Sequence, residues 1–327
     1  MMYGWNKNAF GALTKIIILG GILSLSACCA VESMPPASPA VLKTPGAHQE
    51  VFATPGDAVD ALVSATRGDE KSELMKILGP HAWKLIHSGD KVADERGRER
   101  FLAAYDKAHR IESESGDRDR LIVGEEEWPM PVPLMHTEGG WWFDAVAGEQ
   151  EILDRRIGHN ELNAIGVCRA YVEAQQEFAA RHPLKGGKHE YAEHFQSSDG
   201  QHDGLYWPTA SGQPESPFGL LVSNATAEGY EGKTFNKHVP YEGYFFRILK
   251  RQGPHAPEGA KDYVVNGHMT RGFALIAFPA RYGDSGVMTF IVNRHGIVYE
   301  KNLGSDTAEI ARNIAQFDPD GSWNIVR

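Results

Sequence analysis

The chain has 327 residues, 42% apolar and 23% charged, which is ordinary for a globular protein and long enough for two hydrophobic cores. Its formal net charge of −10 makes nucleic acid an unsuitable partner, because phosphate binding needs clustered Lys and Arg. No P-loop, dinucleotide fingerprint, Gly-x-Ser-x-Gly elbow or Cys-x-x-Cys pair occurs. The sequence therefore predicts no cofactor, no metal site and no catalytic residue.

The amino terminus is typical of an exported protein. Lys7 and Lys15 precede a short apolar run that ends at Ala27, a pattern that predicts a secretory signal peptide over residues 1–27. The run is short for a membrane span. An uncleaved anchor helix, or a plain signal peptide with an incidental cysteine, is the alternative.

Leu25-Ser-Ala-Cys28 resembles the lipobox of bacterial lipoproteins. That resemblance implies cleavage before Cys28, lipidation of its thiol and attachment to the membrane. Residue 29 is Cys rather than Asp, so the familiar inner-membrane retention signal is absent and the outer membrane is favoured. Residues 28–50, rich in Ala, Pro and Ser, are predicted to form a flexible tether.

Short helices and a hairpin are predicted for a first domain at residues 51–146. Thr54, Pro55 and Asp57 form a favourable helix start. The predicted helices cover residues 57–65, 70–78, 82–87 and 98–109. A strand is predicted at 121–123, and strands 131–135 and 141–143 flank the turn Thr137-Glu-Gly-Gly140, with the proline-containing strand at the sheet edge.

An amphipathic helix from His159 to His182 is the predicted spine of a second domain at residues 147–327. Residues 147–157 are also helical in character, which predicts a junction helix interrupted near Gly158. The predicted apolar face comprises Ala164, Ile165, Val167, Cys168, Tyr171, Val172, Ala174 and Phe178. The predicted solvent face carries, at four-residue spacing, Arg169, Glu173, Glu177 and Arg181.

The rest of the second domain has the pattern of an antiparallel meander. Strands are predicted at 243–249, 262–265, 272–278, 287–292 and 296–299. Asp306 and Glu309 form a capping box that opens a last helix ending at Phe317. The predicted fold class is thus α+β in two domains, the first with helices and a hairpin sheet, the second with a long helix packed on a meander.

Three resemblances sharpen this architecture. The helices and hairpin of the first domain resemble the cone-shaped fold of nuclear transport factor two. Helix 159–182 and the strand pattern of 243–297 resemble type IV pilins and pseudopilins, which implies a pilin-like head on a lipid anchor. Segments spread over residues 50–327 resemble the bacterial family catalogued as domain of unknown function 2950, which implies no known activity; they are 52–59, 158–165, 203–208, 263–267 and 285–293.

Three polar motifs invite a metal or partner. His189 and His194 are five residues apart and would point to different helix faces, so a charged surface helix is favoured over a zinc site. Asp318-Pro-Asp-Gly-Ser322 lacks the remaining ligands of a calcium loop and is interpreted as a polar turn. Glu125–Glu127 is interpreted as a solvated strand end, and Cys168 as a small core hydrophobe.

The loop Asp203-Gly-Leu-Tyr-Trp-Pro208 is the most suggestive binding segment. Tyr206 and Trp207 could form a stacking platform for a ligand, with Asp203 beside them. In the alternative, which is favoured, Trp207 is buried and pins the loop to the sheet.

These features favour a non-enzymatic binding or assembly module of the cell envelope, held at the membrane by its lipid and open to an envelope protein partner. The alternative is a hydrolase, isomerase or small-ligand binder with a pocket in the first domain. Its general base would be Asp90, Asp144 or His109, and paired carboxylates with separated pKa values would be needed.

Overall fold

Four helices precede the first sheet. The computed structural model describes residues 44–184, 187–210, 212–230, 235 and 239–327, so the predicted signal peptide and Cys28 lie outside the described residues. The helices are α1 (Pro55–Arg67), α2 (Lys71–Leu78), α3 (Trp83–Ile86) and α4 (Lys91–Lys107), with a 3-10 turn at Pro80–Ala82. Thr54 caps α1 as predicted, through a hydrogen bond from the amide of Asp57 at 3.1 Å. Helix α4 begins at Lys91 and not at residue 98 as predicted, because Asp90 caps it.

The first sheet is antiparallel with strand order β1-β2-β4-β5, and β3 also pairs with β2. The strands are β1 (His109–Ser115), β2 (Arg118–Val123), β3 (Trp128–Pro129), β4 (Leu134–Thr137) and β5 (Gly140–Phe143). Thr137 pairs with Gly140, which confirms the predicted hairpin. The predicted edge position of the proline-containing strand is wrong. Pro131 and Pro133 precede β4, which therefore keeps its amide donors and lies between β2 and β5.

Helix α5 runs without a break from Ala145 to Arg181. The predicted interruption near Gly158 is wrong, because this exposed glycine continues the helical hydrogen bonding and meets no neighbouring atom. The predicted faces are confirmed: Arg169 and Glu173 are exposed, while the predicted apolar residues are buried except for the partly buried Ile165. Pro183 follows the C-cap, as expected for a residue without an amide donor.

A second antiparallel sheet, with strand order β16-β15-β14-β13-β8, contains four of the five strands predicted for the meander. The predicted strand at 262–265 is wrong, because its residues pair in two separate two-stranded ladders. The elements after α5 are β6 (Pro183–Leu184), β7 (Lys188–His189), α6 (Gly219–Ala227), β8 (Tyr244–Leu249), β9 (Arg251–Gln252), β10 (Lys261–Asp262), β11 (Val264–Val265), β12 (His268–Met269), β13 (Ala274–Pro279), β14 (Met288–Asn293), β15 (Val298–Asn302), α7 (Thr307–Asn313) and β16 (Asn324–Ile325). Helix α7 ends before Phe317, and Asp306 makes no side-chain capping hydrogen bond, so that part of the prediction is wrong.

Two clusters of buried apolar side chains hold these layers. One joins α1, α2 and α4 to the inner face of the first sheet. The larger one joins the C-terminal half of α5 and α6 to the second sheet. The α+β class is confirmed, while the domain boundary near residue 146 stays a prediction. Among the described residues, no helix has the length and apolar character needed to cross a bilayer.

Candidate functional site

A polar cleft of about 300 Å³ opens where the first helices meet the loop between β13 and β14. Its volume lies at the lower end of the range for small-molecule sites, roughly 300–1,000 Å³. The lining residues are Asp69, Lys71, His87, Gly89, Lys91, Asp94, Glu95, Arg98 and Arg281. All of them except His87 and Gly89 carry a formal charge, and none is apolar. Such a cleft suits a small, hydrophilic ligand.

One face of α4 supplies almost half of the lining. Lys91, Asp94, Glu95 and Arg98 follow the spacing i, i+3, i+4, i+7, which places them on one side of the helix. The junction between α1 and α2 and the junction between α3 and α4 supply the neighbouring walls. Arg281 reaches the cleft from the second half of the chain, so both halves build it.

Several of these charges are held by contacts within the walls. An Nη of Arg98 lies 3.1 Å from an Oδ of Asp69. Asp94 accepts hydrogen bonds from the amide of Ser88, at 3.1 Å to Oδ1 and 3.2 Å to Oδ2. The Arg281 guanidinium donates a hydrogen bond to the backbone carbonyl oxygen of His87, in the α3–α4 junction, at 3.4 Å. These contacts shape the walls and leave the remaining charges to face solvent.

The wall formed by α3 is fixed from behind. Arg156 of α5 donates to the carbonyl oxygens of Lys84 at 2.8 Å and Leu85 at 2.6 Å. Burial lowers the pKa of the Arg156 guanidinium. His87 stacks on Trp83, with ring centroids 3.7 Å apart and planes at 17°, and Trp83 itself is 50% exposed. The cleft therefore has an aromatic pair at its rim on a well-supported wall.

A second polar region, the buried junction, adjoins the cleft and is formed by Asp90, Arg96, His159, Glu228, Tyr230 and Glu242. Asp90 is 2% exposed and caps α4 through Oδ1, which accepts from the amides of Val92 and Ala93 at 3.1 Å. Its Oδ2 accepts from the Tyr230 hydroxyl at 2.8 Å and from the amide of Gly243 at 2.9 Å. Burial raises the pKa of the Asp90 carboxyl despite these donors.

Two glutamates of the buried junction share one arginine. An Nη of Arg96 lies 2.6 Å from Oε1 of Glu242 and 3.2 Å from Oε2 of Glu228. Burial raises the pKa of Glu228. Burial acts the same way on Glu242, but the nearby His159, whose Nε2 lies 3.6 Å from Oε2 of Glu242, and the charge of Arg96 outweigh it and leave the pKa of Glu242 lowered. Glu242 also has φ 47°, a left-handed conformation that a non-glycine residue adopts at some cost.

The comparison with known proteins identifies a family. A family model described as Protein of unknown function (DUF2950) matches residues 49–326. The chain belongs to this family. No curated protein and no solved structure gives a significant match. The resemblance inferred from the sequence segments is thereby confirmed, and the cleft of this DUF2950 protein has to be interpreted from its own residues.

The predicted binding loop of the DUF2950 protein is largely packed. Trp207 is 8% exposed and stacks on His202, with ring centroids 4.3 Å apart. Asp203 accepts hydrogen bonds from Ser198, at 2.7 Å from the backbone amide and 2.8 Å from the hydroxyl. The hydrogen bond from the backbone amide is the main cause of the lowered pKa of Asp203. Tyr206 is partly buried. This packing matches the pinned-loop alternative, and a binding role for the three residues stays a prediction.

The three suggested general bases are not assembled into one site. Asp90 belongs to the buried junction, with its carboxylate turned towards Tyr230. Asp144 is fully buried and caps α5 through Oδ1, at 3.1 Å from two amides. His109 stacks on Tyr105, and its Nδ1 lies 2.9 Å from the carbonyl oxygen of that residue. Each group therefore has its own structural contact.

The other polar motifs predicted from the sequence also have structural roles in the fold. His189 belongs to β7 and the chain to His194 is irregular, so the predicted surface helix there is wrong; the amide of Tyr191 pairs with the carbonyl of Met269 at 2.8 Å instead. Within the described parts of the chain, no group of three or more His, Cys, Asp or Glu residues could hold a metal ion. Burial raises the pKa of the Cys168 thiol to about 12, so the thiol stays protonated at neutral pH.

Two further predictions concern exposed acids. Asp318 of the polar turn accepts from the amide of His255 at 2.8 Å, and Glu125–Glu127 form an exposed turn. Both placements agree with the structural interpretation made from the sequence. The residues that sequence reasoning missed are those of the cleft. The signal available for them was the charged stripe of α4, whose spacing puts four ionisable side chains on one face.

Proposed function

We propose that this DUF2950 protein is an exported, lipid-anchored module of the cell envelope that binds a small charged ligand in the cleft without chemical turnover. The lining of the cleft carries this proposal, because its charges are of both signs and several have no partner in the walls. Within the described residues, Lys71, Lys91 and Glu95 form no ion pair. A ligand of matching charge would supply the missing partners.

The composition of the cleft favours binding over catalysis. Its lining contains no hydroxyl or thiol that could act as a nucleophile. Its one imidazole, His87, is already stacked on Trp83. The walls are fixed by the hydrogen bonds of Arg156 and Asp94, so little ordering would accompany binding.

The anchor is tested by replacing the lipidated cysteine. Cys28→Ser should abolish metabolic labelling with palmitate and leave the precursor unprocessed, since the thiol is the acyl acceptor. Alanine at the neighbouring Cys29 is the matched control and should leave labelling intact. Unchanged labelling of the Cys28→Ser protein would contradict the anchored-module proposal.

The cleft is tested by ligand-dependent unfolding. A panel of small carboxylates, phosphates, amines and amino acids is added to the purified protein, and the shift in Tm is measured. At least one member should raise the Tm of the wild type and of Lys107→Gln, a control at the far end of α4. The same compound should raise the Tm of Lys91→Gln clearly less than that of the other two proteins. If no compound acts, or if all three proteins respond equally, the cleft is not the binding site.

A second candidate function is general acid–base catalysis in the buried junction. What favours it is the pair Glu228 and Glu242, whose pKa values move in opposite directions, as in many acid–base pairs. A hydrolase or isomerase of this kind would lose turnover in both Glu228→Gln and Glu242→Gln. A screen of chromogenic ester, glycoside and phosphate substrates with these two variants tests the candidate. If the rates of substrate hydrolysis are the same in the wild type and in both variants, the buried junction is not a catalytic site.

A further inference from the structure

The cleft offers a ligand more positive charges than negative ones. Lys71, Lys91 and Glu95 make no ion pair among the described residues. Arg281 is only weakly engaged, since its Nη1 lies 3.8 Å from an Oδ of Asp284 and its side chain is 42% exposed. Asp94 makes no ion pair among the described residues either, but both of its carboxylate oxygens already accept from a backbone amide of the wall. Three cations and, apart from Asp94, one carboxylate are therefore available to a ligand.

The two lysines occupy positions where a positive charge is unusual. Lys71 is the first residue of α2 and Lys91 the first residue of α4. The helix dipole places partial positive charge at both sites, which normally favours an acid. Lys91 and Glu95 are four residues apart on α4 in the less favourable order, and they form no ion pair there. The lysines gain more from an external anion than from their own helices.

Arg281 is held in place by α5. Its amide donates to Oγ of Ser285 at 2.9 Å, and the side chain of Asn160 donates to the carbonyl oxygen of Ser285 at 2.9 Å. Glu161 accepts from the amides of Val287 and Met288 at 2.9 Å. The loop that carries Arg281 is thus held at two points, which fixes the backbone from which its side chain extends into the cleft.

These charges discriminate among ligand classes. A ligand with only negative charge would be repelled by Glu95, and a ligand with only positive charge would be repelled by the two lysines and Arg281. A molecule with two anionic groups and one ammonium group would satisfy both signs. The side chains that line the cleft end in charged groups or an imidazole, so charge determines which ligand binds.

Resting on the proposed function, we infer that the ligand is an amino dicarboxylate of glutamate size, or the end of a short acidic peptide with a free amine. Lys71, Lys91 and Arg281 bind its carboxylates, and Glu95 binds its ammonium group. The volume of about 300 Å³ accommodates a molecule of this size. The α4 stripe then determines specificity for the ammonium group.

Isothermal titration of the purified protein with four related compounds tests this inference. L- and D-glutamate carry two carboxylates and an ammonium group, glutarate lacks the ammonium group, and 4-aminobutyrate lacks one carboxylate. Glutamate of at least one hand should bind about tenfold more tightly than either analogue, as expected for loss of one charged hydrogen bond. Glutarate binding as tightly as both glutamates would overturn the inference.

Two substitutions with a common control assign the two ends of the ligand. Glu95→Gln should remove the preference for glutamate over glutarate and strengthen glutarate binding, because the repulsive carboxylate is gone. Lys91→Gln should weaken both compounds about tenfold, while Lys107→Gln should change neither. A preference for glutamate that survives Glu95→Gln would also overturn the inference.

The outcome also separates the two proposals. If another compound of the charged panel binds and its binding is lost in Lys91→Gln, the cleft is a ligand site but the amino-dicarboxylate class is wrong. If no compound gives a cleft-dependent signal, both proposals are wrong. Equal unfolding midpoints of the unliganded variants show that lost binding is not lost folding.

Discussion

The buried junction and the cleft lie on either side of the start of α4 and use the same residue types in opposite ways. In the buried junction, Asp90 and Glu242 are 2% and 7% exposed and each has donors to its carboxylate oxygens. In the cleft, Lys91 and Glu95 are exposed and no ion pair neutralises them within the described chain. Burial thus determines whether a charge stabilises the fold or stays available to a ligand.

The comparison also bears on how shifted pKa values are interpreted. Burial raises the pKa of Asp90 and of Glu228, yet Asp90 already serves as a helix cap and as an acceptor for two further donors. Structural networks perturb pKa values as active sites do. We therefore assign Asp90 to stability, and the following predictions sharpen or break this division between the two regions.

The largest effect is expected at Asp90. Asp90→Ala removes the cap of α4 and leaves the Tyr230 hydroxyl and the Gly243 amide without their buried acceptor. The expected loss of unfolding free energy is about 3–5 kcal/mol. Urea unfolding midpoints measure it, with Asp90→Asn as a smaller perturbation that keeps an oxygen acceptor. A loss below about 1 kcal/mol would mean that the buried junction does not hold the fold.

An intermediate, pH-dependent effect is expected at Arg96. Arg96→Gln leaves the neighbouring carboxylates of Glu242 and Glu228 without their shared cation, and we expect a loss of about 2 kcal/mol at neutral pH. In the wild type, the lowered pKa of Glu242 gives stability that is present above its unfolded pKa and lost as pH falls through the folded pKa.

Removing the guanidinium takes away one of the two partners that lower the pKa of Glu242, while His159 remains, so the folded pKa of Glu242 rises relative to the wild type. Acidification then costs the Arg96→Gln protein less stability than it costs the wild type. The difference between variant and wild type should consequently narrow between pH 7 and about pH 4.5. Unfolding midpoints at the two pH values decide this, and a gap that widens on acidification would contradict the assignment.

The smallest effects are expected for the exposed charges of the cleft. Lys91→Gln and Glu95→Gln should each change the unfolding free energy by less than about 0.5 kcal/mol, because neither side chain has a partner to lose. Thermal or urea unfolding without ligand measures this. A loss comparable to that of Asp90→Ala would show that the stripe of α4 is structural after all.

Local patterns made much of the fold predictable from the sequence. The periodicity of residues 159–182 predicted which side of α5 is buried, because a 3.6-residue repeat depends only on neighbouring positions. The helical character of residues 147–157 was predicted, but the continuity of α5 through Gly158 was missed, since glycine has a low helix propensity that tertiary packing overrides. Pro131 and Pro133 were placed within a strand when they only precede it.

The candidate site was less predictable, because its residues come from distant parts of the chain. Asp90 and Gly243 are 153 positions apart, and no local pattern joins them. The charged stripe of α4 is detectable only if the helix begins at Lys91, whereas the sequence pattern predicts a helix that begins at Arg98. Arg281 could not have been assigned to the cleft at all, since only the clamp on its loop brings it there.

The central claim is that the charges of the cleft bind a ligand while those of the buried junction hold the fold. It is tested most directly by measuring the unfolding midpoint of the wild type, Lys91→Gln and Lys107→Gln with and without saturating glutamate. We expect equal midpoints for all three proteins without ligand, and a rise with glutamate in the wild type and Lys107→Gln that is clearly smaller in Lys91→Gln. An equal rise in Lys91→Gln, or no rise in the wild type, would contradict the claim.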